Sequence, residues 1–145
     1  MNRPHATPLH PTTGSVLPTI LRRVDQATID AYAAVSGDFN PIHVDPDYAS
    51  GGPFGRTIAH GLMTLAYVSE LLNEWTSGAF DCAGELDVTF IAPVYAGDEV
   101  CVTGEIVEIV NRDDVACLRI KLSVSVGERP ILAGFAIQPR MNSGR

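Results

Sequence analysis

The apolar positions of this chain change period along its length, helical in the first half and alternating in the second, with a polar stretch that has neither. Val16 to Val24 reads as a short strand, and Pro18 confines it to a sheet edge or to the strand's start. Asp25 stands where an N-cap belongs. Ile29, Tyr32, Ala33 and Val35 then give one apolar face to a helix of about three turns that stops at Gly37. From Asp38 to Thr57 the periodicity is lost: Pro41 and Pro46 exclude a regular helix, and Gly51, Gly52, Pro53 and Gly55 continue the irregularity. A structureless stretch of this length inside a compact domain points to function. Order returns from about Gly61 to Trp75, where only Thr64, Ser69 and Glu70 are polar over the first three turns. A helix so apolar is expected to be buried on nearly all sides, emerging at Asn73 and Glu74.

Past this helix the period becomes two. Leu86, Val88 and Phe90 alternate with Glu85, Asp87 and Thr89, and Ala96-Gly97-Asp98 turns the chain into a second strand from Glu99 to Val110. After a turn at Asn111 to Asp114, Leu118, Ile120, Leu122, Val124 and Val126 alternate with polar residues. Gly127-Glu128 turns the chain again, and Ile131, Ala133, Phe135 and Ile137 form the last strand. Four consecutive hairpin-linked strands after one buried helix predict an α+β domain, an antiparallel sheet curled around that helix.

The 145 residues fit one domain, large enough to bury roughly 68–70% of its unfolded surface without staples. Its expected bounds are 16–140. A mobile tail of residues 1–15 carries Pro4, Pro8 and Pro11, and a short tail of residues 141–145 follows the domain. The net charge of −7 argues against nucleic acid as a partner, because phosphate binding needs a basic face. No run reaches the roughly 18 apolar residues of a membrane helix, and no apolar signal core opens the chain, so the expected compartment is the cytoplasm. Cys82, Cys101 and Cys117 are odd in number and widely spaced, which suits reduced thiols rather than zinc or disulfides. His5 and His10 in the tail have no structured neighbour to complete a metal site.

The candidate chemistry lies in the aperiodic stretch and in the helix after it. Asp38 and His43 are separated by five positions, which suits neither a helix face nor a strand face. A turn at Asn40-Pro41 would bring them together to hold a water and move a proton. The same residues also read as an Asx-turn beside a structural histidine, and spacing does not decide between the two. His43, Asp45 and Asp47 make a poor hard-metal set, with proline at 46 and none of the glycine that a calcium loop requires. No G-x-S-x-G elbow or phosphate loop is present. At the His60-Gly61 step a glycine opens the helix, leaving a backbone N–H unhindered at the positive end of the dipole, where a developing enolate oxygen would be stabilised. Glycine there for close packing is an equal reading. Ser69 lies eight residues on, about two turns along; it is either part of that face or a core serine bonded to a helix carbonyl.

Together these residues resemble the MaoC-like family of (R)-specific enoyl-thioester hydratases and dehydratases. The match runs through Gly37-Asp38-Phe39-Asn40-Pro41-Ile42-His43, Asp45, Tyr48-Ala49 and Ile58-Ala59-His60-Gly61, with Pro93-Val94 and Gly97-Asp98 as a later signature. The resemblance implies a single hot-dog fold, a long central helix wrapped by a curved antiparallel sheet, paired as a homodimer or with another hot-dog subunit. It implies that Asp38 and His43 activate the water added to C3 of a trans-2-enoyl thioester, that the Gly61 N–H polarises the thioester carbonyl, and that Asn40 orients the loop. His60 and Ser69 are carried with Gly61 as substrate-side residues. No cofactor or metal is implied. The substrate would be an acyl-CoA or acyl-carrier-protein thioester, and the fold also hosts thioesterases and non-catalytic partner subunits.

Overall fold

A computed structural model describes residues 11–140. Five strands form one antiparallel sheet: β1 (Ile20–Arg23), β2 (Glu85–Phe90), β3 (Glu99–Arg112), β4 (Val115–Val126) and β5 (Arg129–Pro139), in the order β1-β3-β4-β5-β2. Helix α1 (Gln26–Ser36), the short α2 (Pro41–Val44) and α3 (Pro46–Ser50), the long α4 (Gly61–Thr76) and the short α5 (Phe80–Ala83) all precede β2. The inward faces of the three long strands, including Val100, Val102, Ile106, Leu118, Ile120, Leu122, Val124, Leu132 and Ala136, share one core with Met63, Val68, Leu71, Leu72 and Trp75 of α4. The sheet therefore wraps the long helix, as the change of period predicts.

Only two of the expected hairpins exist. The β3–β4 turn has both central residues, Asp113 and Asp114, at positive φ, and the β4–β5 turn places Gly127 at φ 56°; both are two-residue turns that match the strand twist. By contrast, β2 pairs with β5, so residues 91–98 cross from the β2 edge to β3, three places away in the sheet, instead of closing a hairpin with β3. The expected turn at Ala96-Gly97-Asp98 does form, but Gly97 N donates to Val24 O and Val24 N to Asp98 O, docking the turn on the end of β1.

The face of β5 is the reverse of the one expected. Leu132, Gly134, Ala136 and Gln138 stand opposite the inward residues of β4, so Ala133, Phe135 and Ile137 face outward, with the Arg119 guanidinium 3.8 Å from the Phe135 ring. A bulge causes this. Val124 pairs with Leu132 and Ser125 with Pro130, leaving Ile131 unpaired, buried beside Leu132, and the alternation reverses beyond it.

Three further expectations shift. Pro41 and Pro46 open helices α2 and α3 at their first positions, where a missing N–H costs nothing, instead of breaking them. The tail boundary at residue 15 moves inward: Pro11 is buried, Gly14 N and Leu17 N donate to β3 carbonyls, and Ile106 N donates to Ser15 O. Residues 1–10 with His5 and His10, and residues 141–145, lie outside the described residues. Finally, α4 is not buried all round. Leu62 is 65% exposed, and Leu62, Ala66 and Ser69 share a side that the chain's own sheet does not bury. No helix among the described residues is long and apolar enough to cross a membrane. Cys82, Cys101 and Cys117 are free thiols.

Candidate active site

Asp25 starts the construction of the site. Its carboxylate accepts from the Thr28 amide (2.8 Å) and hydroxyl (2.7 Å), capping α1 and holding its own pKa below the usual carboxylate range. The helix ends at Gly37, whose φ of 77° reverses the chain while its N–H satisfies Ala33 O. The reversal delivers Asp38 and Asn40. Asp38 Oδ1 accepts from Asn40 N (3.1 Å), and Asn40 Oδ1 in turn caps α2 by accepting from Ile42 N (3.2 Å). One turn later α2 presents His43.

Asp38 turns its two carboxylate oxygens to different partners. Oδ1 closes an Asx-turn, and Oδ2 faces His43 Nε2 at 4.0 Å. The carboxylate is about half exposed while the imidazole is buried, so the pair sits at a boundary between core and surface. A separation of 4.0 Å is too long for a direct hydrogen bond, but a water about 2.8 Å from each atom spans it with an angle of roughly 90° at its oxygen. His43 Nδ1 lies 2.8 Å from Ile58 O. A carbonyl can only accept, so Nδ1 carries a proton, and in the neutral ring the Nε2 lone pair faces Asp38.

The segment that supplies Ile58 also carries the other half of the site. Ile58 N donates to Ile42 O and Ala59 N to Val94 O, fixing the approach to α4 between the dyad loop and the crossing residues 91–98. His60 is the N-cap residue of α4 but makes no side-chain cap. The loss of a cap costs about 1 kcal/mol, little against the roughly 1.5–3 kcal/mol from burying each of Met63, Val68, Leu71, Leu72 and Trp75. The Gly61 amide, at the first helical position, has no acceptor among the described residues. A Cβ at Gly61 would lie 3.4 Å from Phe90 Cε1, so packing against β2 is also part of why glycine stands there.

His60 is placed differently from the substrate-side expectation. It is buried at 2% exposure, its Nε2 lies 2.8 Å from the Asp38 carbonyl oxygen, and its ring stacks on His43 at 3.9 Å. Ser69 is not brought to the dyad. It lies eight residues beyond Gly61, about 12 Å along the helix axis. Its hydroxyl makes no hydrogen bond to another described residue, the helix carbonyls included. Sequence reasoning missed Gln26, whose Nε2 donates to His43 O (2.8 Å) and whose Oε1 accepts from the buried Thr57 hydroxyl (2.6 Å). Its only sequence signal is its position directly after a helix cap.

Asp38, His43 and His60 each offer a ligand atom within 4.8 Å of the others. The two rings stack nearly parallel at 28°, so they present nitrogens side by side instead of converging them, and His60 Nε2 is already bonded to a carbonyl. The grouping suits acid–base work better than metal ligation. His43, Asp45 and Asp47 do not converge either, because Asp45 Oδ1 caps α3 through Tyr48 N.

Residues 8–127 match the family of the MaoC like domain, which covers most of the chain. The chain belongs to the MaoC-like family. Among its relatives, the (R)-specific enoyl-CoA hydratase of Aeromonas caviae is 32% identical over 106 residues, covering 73% of this chain and 79% of that one. The 3-hydroxybutyryl-CoA dehydratase of Methylorubrum extorquens is 34% identical over 116 residues, covering 80% and 73%. The solved structure of the Aeromonas caviae (R)-hydratase, described as involved in PHA biosynthesis, superposes with a TM-score of 0.75 at 27% identity, covering 89% of this chain and 97% of that one. This MaoC-like chain accordingly has the α+β hot-dog fold, its long helix α4 held in the curved sheet.

Proposed function

We propose that this chain is a hydro-lyase, catalysing reversible hydration of trans-2-enoyl thioesters to (R)-3-hydroxyacyl thioesters. The observation that carries the reading is the 4.0 Å gap between two acceptors, Asp38 Oδ2 and the His43 Nε2 lone pair. A water held there donates both protons to the protein and keeps a lone pair for C3 of the substrate. As the C3–O bond forms, charge develops on the thioester oxygen, which the free Gly61 amide at the positive end of α4 is suited to receive. One water proton passes to the dyad, which returns a proton to C2 as the enolate collapses and so regains its starting state. The reverse sequence eliminates water. Asn40 acts through the α2 cap, orienting the loop. Ser69 belongs to the outward side of α4, where an acyl chain or a second subunit would lie. Both the hydratase and the dehydratase relatives support this chemistry, and the family resemblance supports a homodimer acting on acyl-CoA or acyl-carrier-protein thioesters.

The test is hydration of crotonyl-CoA, followed by loss of the enoyl absorbance. Wild-type chain is expected to turn over, and Asp38→Asn or His43→Gln to lose on the order of 10²–10⁴ in kcat, the range that acid–base groups contribute. Absence of turnover with both CoA and carrier-protein enoyl thioesters would sink the assignment. Free thiol released from acyl-CoA would point to hydrolysis, and activity appearing only with a second co-purified chain would point to a partner subunit.

A further inference from the structure

Two stacked imidazoles in this site are held by different backbone carbonyls through different ring nitrogens. His43 uses Nδ1 toward Ile58 O and His60 uses Nε2 toward Asp38 O, both at 2.8 Å. Each carbonyl can only accept, so each ring must donate, and as neutral imidazoles the rings carry opposite tautomers. His43 holds its proton on Nδ1 and leaves a lone pair on Nε2. His60 holds its proton on Nε2 and leaves a lone pair on Nδ1, a buried atom with no hydrogen-bond partner among the described residues.

We infer that His60 is a positioning residue of the hydration site, its Nε2–H fixing the Asp38 main chain and its ring fixing the plane of His43. This rests on the proposed reaction. Asp38 follows a glycine at positive φ and precedes a proline-initiated helix, and its other restraints are local: its N–H bonds Ser36 Oγ at 3.3 Å and its Oδ1 accepts from Asn40 N at 3.1 Å. His60 supplies a restraint from 22 residues away. The ring stack at 3.9 Å and 28° leaves His43 no freedom to tip its Nε2 away from Asp38, while Tyr32, 4.9 Å from the His60 ring, backs it on α1. Because His60 is also the residue before Gly61, the same side chain sets the distance between the water-activating dyad and the helix amide. An unpartnered Nδ1 in the core costs stability, a cost that a residue present only for packing, such as phenylalanine, would avoid.

Two measurements test this. Long-range proton–nitrogen correlations of the ¹⁵N-labelled full chain at neutral pH are expected to show His60 protonated at Nε2 alone and His43 at Nδ1 alone. A His60 protonated at Nδ1, or at both nitrogens, overturns the inference. This arm needs no substrate, so a wrong substrate assignment and a wrong role for His60 fail separately. In kinetics with crotonyl-CoA, His60→Phe keeps the ring and removes the donor, and is expected to lower kcat on the order of 10–100-fold, the loss that a small misplacement of reacting groups produces, with little change in KM. His60→Gln, whose amide nitrogen reaches the Nε2 position, is expected to recover much of that loss. In an Asp38→Asn background His60→Phe is expected to cost nothing further. Undiminished kcat in His60→Phe, or an equal loss in both backgrounds, overturns it. Should His60→Phe fail to fold, His60→Gln against the shorter His60→Asn decides in the same way: activity in Gln alone supports the inference, and equal activity in both overturns it.

Discussion

Gln26 ties together three segments that meet only at the site: its Nε2 donates to His43 O and to Asp30 Oδ1, both at 2.8 Å, and its Oε1 accepts from Thr57 Oγ1 at 2.6 Å. Replacing it with leucine strands a buried hydroxyl and the carbonyl of a proposed catalytic residue. Each stranded group costs about 1–3 kcal/mol unless water reaches it, so Gln26→Leu is expected to lower the unfolding free energy by a comparable total, read as a lower urea midpoint with an unchanged m-value. Gln26→Glu should not rescue it, since a carboxylate would keep the Thr57 bond but face Asp30 and the His43 carbonyl. Such residues are hard to see in a sequence because their partners are backbone carbonyls 17 or 22 positions away, which no side-chain pattern records. Asp38 and His43 were legible as titratable groups near a turn. What spacing left undecided was the division of one carboxylate, Oδ1 toward Asn40 N and Oδ2 toward His43.

Helices were read most accurately where their ends carry a chemical signature. Asp25 and Gly37 bound α1 within a residue of expectation, because a capping carboxylate and a left-handed glycine are local devices. Prolines 41 and 46 misled for the same local reason: a proline that forbids a helix interior favours a helix start. Strand β5 misled because a bulge reverses inside from outside, and a bulge depends on its partner strand. The Asp25 cap also carries a pH dependence whose sign follows from its lowered pKa, caused first by the Thr28 hydroxyl hydrogen bond and then by the Thr28 amide. A carboxyl that ionises more easily folded than unfolded contributes fully above the unfolded value and loses that contribution as pH falls through the folded one. Asparagine caps without titrating. Asp25→Asn is therefore expected to be less stable than wild type at neutral pH, the difference closing as the pH falls below the ordinary carboxylate value of 3.8. Urea midpoints of the two proteins across that range check it; a gap that stays constant would remove the charge from the account.

For the molecule as a whole, the outward side of α4 is the part that the single chain leaves unfinished. Leu62 at 65% exposure, Phe90 at 48% and Ile91 at 51% lie near the helix amide, whereas the opposite side of the same helix is sealed by three strands. Isolated exposed apolar residues need no explanation, but a group of them beside a proposed acyl site does. A second copy related by a two-fold axis would set this patch against itself, covering it and enclosing an acyl chain with one interface. With seven net negative charges per chain, long-range electrostatics oppose that pairing, so apolar burial has to drive it. The wild-type chain is expected to sediment at twice its monomer mass at micromolar concentration. Leu62→Lys removes little packing from the monomer and sets two charges against each other in the pair. It is expected to sediment at the monomer mass with its circular dichroism unchanged, and to lose hydratase activity in proportion to the dimer lost. A wild-type monomer that is fully active would show that one hot-dog unit needs no cover over α4. A Leu62→Lys dimer of wild-type affinity would place the interface elsewhere on the sheet.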